Sequence, residues 1–233
     1  MNTILADSLE WIADKLEAEL ASGKEQPAAV AAVLQVLMQE HGNVVFGGDG
    51  YAEEWHASAV EERGLKNIPT TADALPILND RSVIDLFQRT GVLSAVELES
   101  RYEVYAEQYI LSIGVEAKLV VELAKTVIYP ATMSYVASLA ATVNSASYLG
   151  VELKPAGIKK IAEETNAMMA TVAQLEEALA NDHFDSTEAQ MKYCAGPIRT
   201  LMDKVRLHAD ALETEVADEY WPLPKYREML FIK

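Results

Sequence analysis

The chain has 233 residues, of which 50% are hydrophobic and 24% charged, a composition that excludes a disordered or fibrous protein. It lacks an uninterrupted apolar run of about 18 residues and a basic, signal-like amino terminus, so we expect neither a membrane span nor secretion. The net charge of −17 argues against nucleic-acid binding, and a single cysteine excludes an internal disulfide, as is typical of cytoplasmic proteins.

Helical periodicity dominates the first ninety residues. Apolar residues recur every three or four positions over residues 2–20 and 27–41, which predicts two amphipathic helices. A third helix is predicted over residues 52–63, followed by short helical pieces joined by turns over residues 65–91. Residues 42–50 are the only convincing candidate for a strand or loop.

A long helix is predicted in the middle of the chain. Ser94 and Glu97 have the spacing of a capping box, in which each side chain satisfies a backbone N–H of the first helical turn. The helical period then continues over residues 98–127, which corresponds to about 50 Å. Pro130 is expected to kink or end this helix, and the pattern resumes as far as Val143.

Two heptad-like stripes follow, over residues 158–179 and 191–212, separated by the turn-like residues 181–186. They predict an antiparallel helical hairpin, which forms a three-helix bundle with the long helix before it. Pro197 is expected to kink the last helix. Two leucines near the middle of the stripes are predicted to be buried, namely Leu175 and Leu201.

The carboxy-terminal segment is the most aromatic and apolar part of the sequence. Pro222 and Pro224 prevent a regular helix there, so we expect an extended arm that docks on an apolar groove of its own or a neighbouring subunit. The large apolar residues of this arm are Trp221, Leu223, Tyr226, Met229, Leu230, Phe231 and Ile232.

Candidates for metal chemistry are few. A di-metal site in a helical bundle needs Glu-x-x-His motifs, and only Glu53 and His56 have that spacing. We therefore interpret His56 as a surface or packing residue, and His208 as a satisfied core or bundle-edge histidine. The other two histidines, without a glutamate three residues earlier, are His41 and His183.

For the glycine-rich loop, the cysteine and the tyrosines, a structural role is the better interpretation. The glycines of residues 47–50 could cradle an anion, but Asp49 opposes this and a tight turn before a helix is the better interpretation. Cys194 lies on an apolar stripe and is interpreted as a buried, inert thiol rather than a nucleophile. Three tyrosines are interpreted as core packing rather than a cofactor box: Tyr102, Tyr105 and Tyr109.

Several collinear segments resemble a known family: VVFGGDGYAEEW (44–55), RGLKN (63–67), TTADALP (70–76), GVLS (91–94), ESRY (99–102), EQY (107–109), WPLP (221–224) and YREMLF (226–231). Together they resemble the carboxy-terminal part of type III glutamine synthetases. Members of that family are about three times longer and carry ATP and Mg²⁺ or Mn²⁺ on strands of an amino-terminal part. No position here matches their catalytic motifs, so no catalytic, cofactor-binding or metal-ligating residue is assigned.

The resemblance implies an all-α chain with two parts. Residues 1–115 would be the helical tail of the catalytic domain, and residues 116–233 a type III-specific helical extension ending in the arm. The parent reaction is the ATP-dependent ligation of ammonia to glutamate. The implied partners are the rest of the subunit and neighbouring subunits of a ring-shaped homo-oligomer. The alternative is a free-standing helical interaction or regulatory module, which the DNA upstream of Met1 would distinguish from a fragment.

Overall fold

The computed structural model describes residues 1–42, 45 and 47–230, and the side chains of residues 226 and 227 are outside that description. The chain is 77% helical, and the described residues contain no strand, which confirms the all-α prediction. It divides into two compact units, Met1–Val104 and Tyr105–Lys233. The division between residues 115 and 116 concerns family domains and stays a prediction.

The first unit consists of short and medium helices whose positions agree with the predicted ones. They are α1 (Asn2–Ala21), α2 (Gln26–His41), α3 (Glu53–Glu61), α4 (Thr71–Ala74), a 3₁₀ turn (Leu75–Asn79), α5 (Arg81–Arg89) and the start of α6 (Ala95–Leu123).

A glycine explains where α3 ends, and a capping box explains where α6 begins. Gly64 follows α3 with φ of +67°, a conformation that glycine adopts without strain, and the Leu65 N–H donates to the Ala59 carbonyl at 2.9 Å. The capping box of α6 is confirmed. The Ser94 N–H donates to Glu97 Oε2 at 2.8 Å, and the Glu97 N–H donates to Ser94 Oγ at 3.3 Å.

The long helix continues past Pro130, so α6, a π-helical turn and α7 (Tyr129–Tyr148) form one run of 54 residues. The π turn spans Ala124–Ile128, and the Tyr129 N–H donates to the carbonyl of Ala124, five residues earlier. A proline has no N–H to donate and its ring displaces the carbonyl four residues before it. The widened turn accommodates both effects, so Pro130 does not end the helix.

The same solution occurs at Pro197. A second π turn, Cys194–Ile198, joins α9 (Thr187–Tyr193) to α10 (Arg199–Glu215), and the Arg199 N–H donates to the carbonyl of Cys194. Both helices therefore continue past their prolines and stay packed against α8.

The second unit is a three-helix bundle, as predicted, in which α8 (Ala156–Leu179) packs against α7 on one side and α10 on the other. The predicted stripes form its core. The buried residues of α8 are Ile161, Thr165, Met168, Thr171, Val172 and Leu175, and those facing them from the last helix include Met191, Cys194, Ile198, Val205 and Leu212. Leu175 is completely buried, whereas Leu201 is only partly buried and packs against the same core.

The prediction that the tyrosines of α6 pack in the core is confirmed for Tyr102 and wrong for Tyr105. Tyr102 is buried, whereas Tyr105 is 48% exposed. Three residues along a helix turn by about 300°, which moves Tyr105 away from the face that Tyr102 shares with Tyr109. Tyr109 is half-buried, and its buried hydroxyl has no hydrogen-bond partner among the described residues.

Replacing Leu175 with alanine should lower the free energy of unfolding by about 2–5 kcal/mol, because its side chain is completely buried in the bundle core. Leu201→Ala should cost less, about 1–2 kcal/mol, since part of that side chain remains in water. The exposed neighbour Gln174→Ala is the matched control and should change stability by about 0.5 kcal/mol at most. Chemical denaturation measures all three, and equal losses would contradict the assigned faces.

The capping box predicts a pH-dependent contribution from Glu97. Hydrogen bonds from the Ser94 backbone N–H and hydroxyl hold the pKa of the Glu97 carboxyl below its usual value. A lowered folded-state pKa stabilises the fold above the unfolded-state pKa, and this stabilisation is lost as pH falls through the folded-state pKa. Glu97→Gln should therefore lower the melting temperature at neutral pH, and the difference should disappear on acidification. Glu99→Gln, an exposed neighbour, should show no such dependence.

Candidate functional site

The histidines do not assemble a metal site. Glu53 and His56 both lie exposed on α3, as predicted for a surface residue at position 56. Within the described residues, no group of three or more His, Cys, Asp or Glu side chains is close enough to hold a metal ion. His183 is exposed in the turn between α8 and α9, and His41 is exposed at the end of α2 with its ring edge-on to Trp11 at 6.2 Å.

His208 is satisfied by a partner, in agreement with its interpretation as a bundle-edge histidine. Its Nδ1 lies 2.6 Å from Glu164 Oε1, which connects α10 to α8. Beside it, Lys160 Nζ lies 2.5 Å from Glu215 Oε1 and joins the same two helices. All four side chains are half-buried or exposed at the rim of the core. These two pairs connect α8 to α10 along one edge of the core. Because all four side chains are already paired, they are not available to bind a ligand.

The glycine-containing loop before α3 forms a turn. The Asp49 carboxylate accepts a hydrogen bond from the Tyr51 N–H at 2.9 Å, and the Ala52 N–H donates to the Asp49 carbonyl at 3.4 Å. These bonds form a tight turn over residues 49–52 that leads into α3, two residues later than the predicted turn over residues 47–50. The strand alternative for residues 42–50 falls partly on residues 43, 44 and 46, which lie outside the described residues.

Cys194 is buried in the bundle core, where it begins the second π turn. Burial raises the pKa of the Cys194 thiol, because the thiolate loses hydration there. Its burial confirms that Cys194 is a packing residue, and that the thiol is an inert nucleophile stays a prediction.

The carboxy-terminal segment docks on its own bundle. Trp221 is 8% exposed and belongs to the core cluster, with Leu223 packed against the same cluster. The ring of Tyr220 lies 5.2 Å from that of Tyr135 on α7. Lys225 Nζ lies 2.9 Å from Asp218 Oδ1, which fixes the chain after the second proline.

The prediction of an extended arm is wrong after Pro224. Residues Tyr226–Leu230 form a short helix, α11, whose start is capped because the Lys225 N–H donates to Glu228 Oε2 at 3.1 Å. Prolines before a segment do not prevent a helix that starts after them. Met229 and Leu230 are exposed on α11, while the predicted contacts of residues 231 and 232 lie outside the described residues.

The helix α1 is held weakly by the rest of the chain. None of its residues is buried, and Ile12 and Leu16 are only half-buried. Arg89 on α5 forms ion pairs with both Asp7 and Glu10 of α1, and these hydrogen bonds raise the pKa of the arginine. Exposed ion pairs of this kind contribute little to stability and are screened by salt.

The apolar stripes of α1 and α2 extend beyond the part that the first unit covers. On each helix, one row of apolar residues is at least partly buried, and a second row beside it remains exposed to solvent. They are Leu5, Leu9 and Leu20 on α1 and Val30, Leu34 and Met38 on α2, with exposures between 38% and 60%. Sequence periodicity predicted these residues as an apolar face, and the structure shows that the described chain leaves much of that face open.

Comparison with known proteins identifies the family. A family model described as the glutamine synthetase C-terminal domain matches residues 29–147. This chain belongs to that family. It is 33% identical over 242 residues to the type-3 glutamine synthetase of Dictyostelium discoideum and 30% identical over 243 residues to the glutamine synthetase of Bacteroides fragilis. It is also 29% identical over 218 residues to the glutamine synthetase of Butyrivibrio fibrisolvens.

The glutamine synthetase relatives are much longer than this chain. The first two matches cover 100% of the chain but 33% of each relative, and the third covers 90% of the chain and 31% of the relative. The chain therefore spans about one third of the length of the curated relatives that it matches. None of the helices in the described part of the chain is long and apolar enough to span a bilayer.

Trp221→Ala should lower the free energy of unfolding by about 3–5 kcal/mol, because the indole fills the end of the bundle core. Met229→Ala, eight residues later on the exposed side of α11, should change it by about 0.5 kcal/mol at most. Thermal and chemical denaturation provide the comparison. If both variants unfold like the parent chain, the carboxy-terminal segment does not contribute to the core.

Proposed function

We propose that this chain forms the carboxy-terminal helical region of a type III glutamine synthetase subunit and has a structural role there. The complete enzyme would join ammonia to glutamate at the expense of ATP, with ATP and Mg²⁺ or Mn²⁺ bound by residues outside this chain. Its partners would be the rest of the subunit and neighbouring subunits of a ring-shaped homo-oligomer in the cytoplasm. The family match and the relatives named type-3 glutamine synthetase and glutamine synthetase support this proposal.

The observation that carries the structural role is the uncovered apolar face of α1 and α2. Leu5, Leu9 and Leu34 are each more than half exposed, although they continue the stripes that the helices use for packing. Burying one such side chain contributes roughly 1.5–3 kcal/mol, so a surface that covers this face would stabilise α1 far more than the exposed ion pairs to Arg89 do. We assign that covering surface to the remaining part of the synthetase subunit.

The residues present do not fit the metals of the parent reaction. Divalent cations that bridge phosphate oxygens need several converging ligands, and the described residues contain no group of three or more His, Cys, Asp or Glu side chains that could hold a metal ion. Two neighbouring carboxylates, those of Asp7 and Glu10, are already paired with Arg89. The proposal therefore places phosphoryl transfer on the part of the subunit outside this chain.

The purified chain should not synthesise glutamine. Phosphoryl transfer needs positioned metals around the transferred group, and the described residues contain no group of three or more His, Cys, Asp or Glu side chains that could hold one. A γ-glutamyl transfer assay with ATP and Mg²⁺ or Mn²⁺, compared with a heat-killed sample, measures this directly. Turnover above that control would contradict the proposed division of roles.

A further inference from the structure

The helix α1 meets α5 with its charged side. The Arg89 guanidinium of α5 forms ion pairs with Asp7 and Glu10, which lie about one helical turn apart on α1. Leu5 and Leu9 are each two positions from Asp7, so their directions around the helix differ from it by about 200°. They are 60% and 56% exposed. At this contact, charge pairs take the place of the apolar burial that usually holds a helix against its neighbour.

The packing between α1 and α5 is loose beside these ion pairs. An open groove with a volume of about 650 Å³ lies there, and its lining includes Asp7, Val83, Leu86 and Arg89. Val83 and Leu86 are only half-buried on α5. Closely packed helices leave no space of this size between their side chains. The ion pairs of Arg89 are therefore the specific connection between the two helices at this point.

The contact of α1 with α2 is of a different kind. The two helices pack directly against each other, and Ala29 and Val33 of α2 are buried. The ring of Trp11 on α1 lies edge-on to that of His41 on α2, with 6.2 Å between their centres. Apolar and aromatic contacts of this kind are not screened by salt. Residues 2–41 therefore form one unit, the α1–α2 hairpin.

We propose that Arg89 is a salt-sensitive latch, and that the α1–α2 hairpin swings away from α5 when both of its ion pairs break. Exposed ion pairs are weak and screened by salt, so they contribute little to the stability of the whole fold. They can nevertheless decide the position of α1, because this helix has no buried residue. Closed and open positions of similar free energy are what a hinged conformational device requires. The latch goes beyond the proposed synthetase role, since it depends only on residues of the first unit.

Electron paramagnetic resonance of the full chain reports on the distance between α1 and α5. Nitroxide labels are attached to cysteines that replace Ala6 on α1 and Ser82 on α5, both of which are exposed. The two labels broaden each other's spectrum when the latch is closed, and the broadening decreases as the helices separate. Cys194 is replaced by alanine so that only these two positions react, and circular dichroism verifies that each variant stays helical.

Arg89→Gln and Arg81→Gln form a matched pair of variants. Both remove an exposed arginine of α5, but Arg81 pairs with Asp85 of its own helix at 2.9 Å. At low salt, Arg81→Gln should resemble the parent chain, whereas Arg89→Gln should raise the ratio of open to closed molecules roughly three- to tenfold. An ionic strength of about 1 M should open the parent chain similarly and change Arg89→Gln little, because its latch is already absent.

An exchange of charges separates loss of the latch from damage to the fold. Arg89→Glu should open the hairpin, because three negative groups then face one another. Adding Asp7→Arg and Glu10→Arg should close it again, since opposite charges are restored with their positions reversed. A variant that had merely lost its fold would not be rescued in this way.

Four results would overturn the proposal. The first is a parent spectrum that does not change with salt, and the second is Arg89→Gln remaining as closed as Arg81→Gln. The third is Arg81→Gln opening the hairpin as much as Arg89→Gln does. The fourth is a charge exchange that leaves the hairpin as open as Arg89→Glu alone. All four concern the position of α1, so the assay for glutamine synthesis tests the synthetase role separately.

Discussion

Burial of one apolar row of α8 against two other helices is the constraint on which the second unit depends. This helix lies between α7 and α10, and its apolar row from Ile161 to Leu175 is removed from water by both. Pro130 and Pro197 lie in the two helices that run along it. One π turn ends two residues before Pro130 and the other contains Pro197, and both let the helices continue. The Trp221 side chain then closes one end of the same core.

Among the described residues of the first unit, no helix is buried between two others as α8 is. Its longest complete helix, α1, has no buried residue and is tied to α5 by exposed ion pairs to Arg89. Apolar rows on α1 and α2 remain in contact with water. Exposed rows of this extent are characteristic of surfaces that other protein segments cover. For α1 and α2 we assign the covering segment to the rest of a synthetase subunit, which agrees with a chain one third as long as its relatives.

Periodicity and capping residues predicted most of the helices, because they are properties of neighbouring residues. The Ser94–Glu97 capping box and the turn at Asp49 depend on hydrogen bonds over three residues or fewer, and both are present. What covers an apolar face is a property of the whole fold. Leu9 and Leu201 have the same pattern as Leu175, yet only Leu175 is fully buried. Likewise, no local signal distinguishes a proline that ends a helix from one accommodated by a π turn.

For the candidate site, the sequence predicted that His208 would have a hydrogen-bonding partner, but not that Glu164 would be that partner.

Methionine oxidation tests the central claim, that the face of α1 and α2 is an internal surface of a synthetase subunit. Met38 on α2 is 60% exposed in this chain, whereas Met168 in the bundle core is completely buried. The rates of oxidation by peroxide would be compared in the chain alone and in an active chimeric subunit, in which this chain replaces the corresponding third of the Dictyostelium relative. The account predicts rapid oxidation of Met38 in the chain alone and strong protection in the chimera, with Met168 protected in both. An active chimera in which Met38 is oxidised as fast as in the chain alone would contradict it.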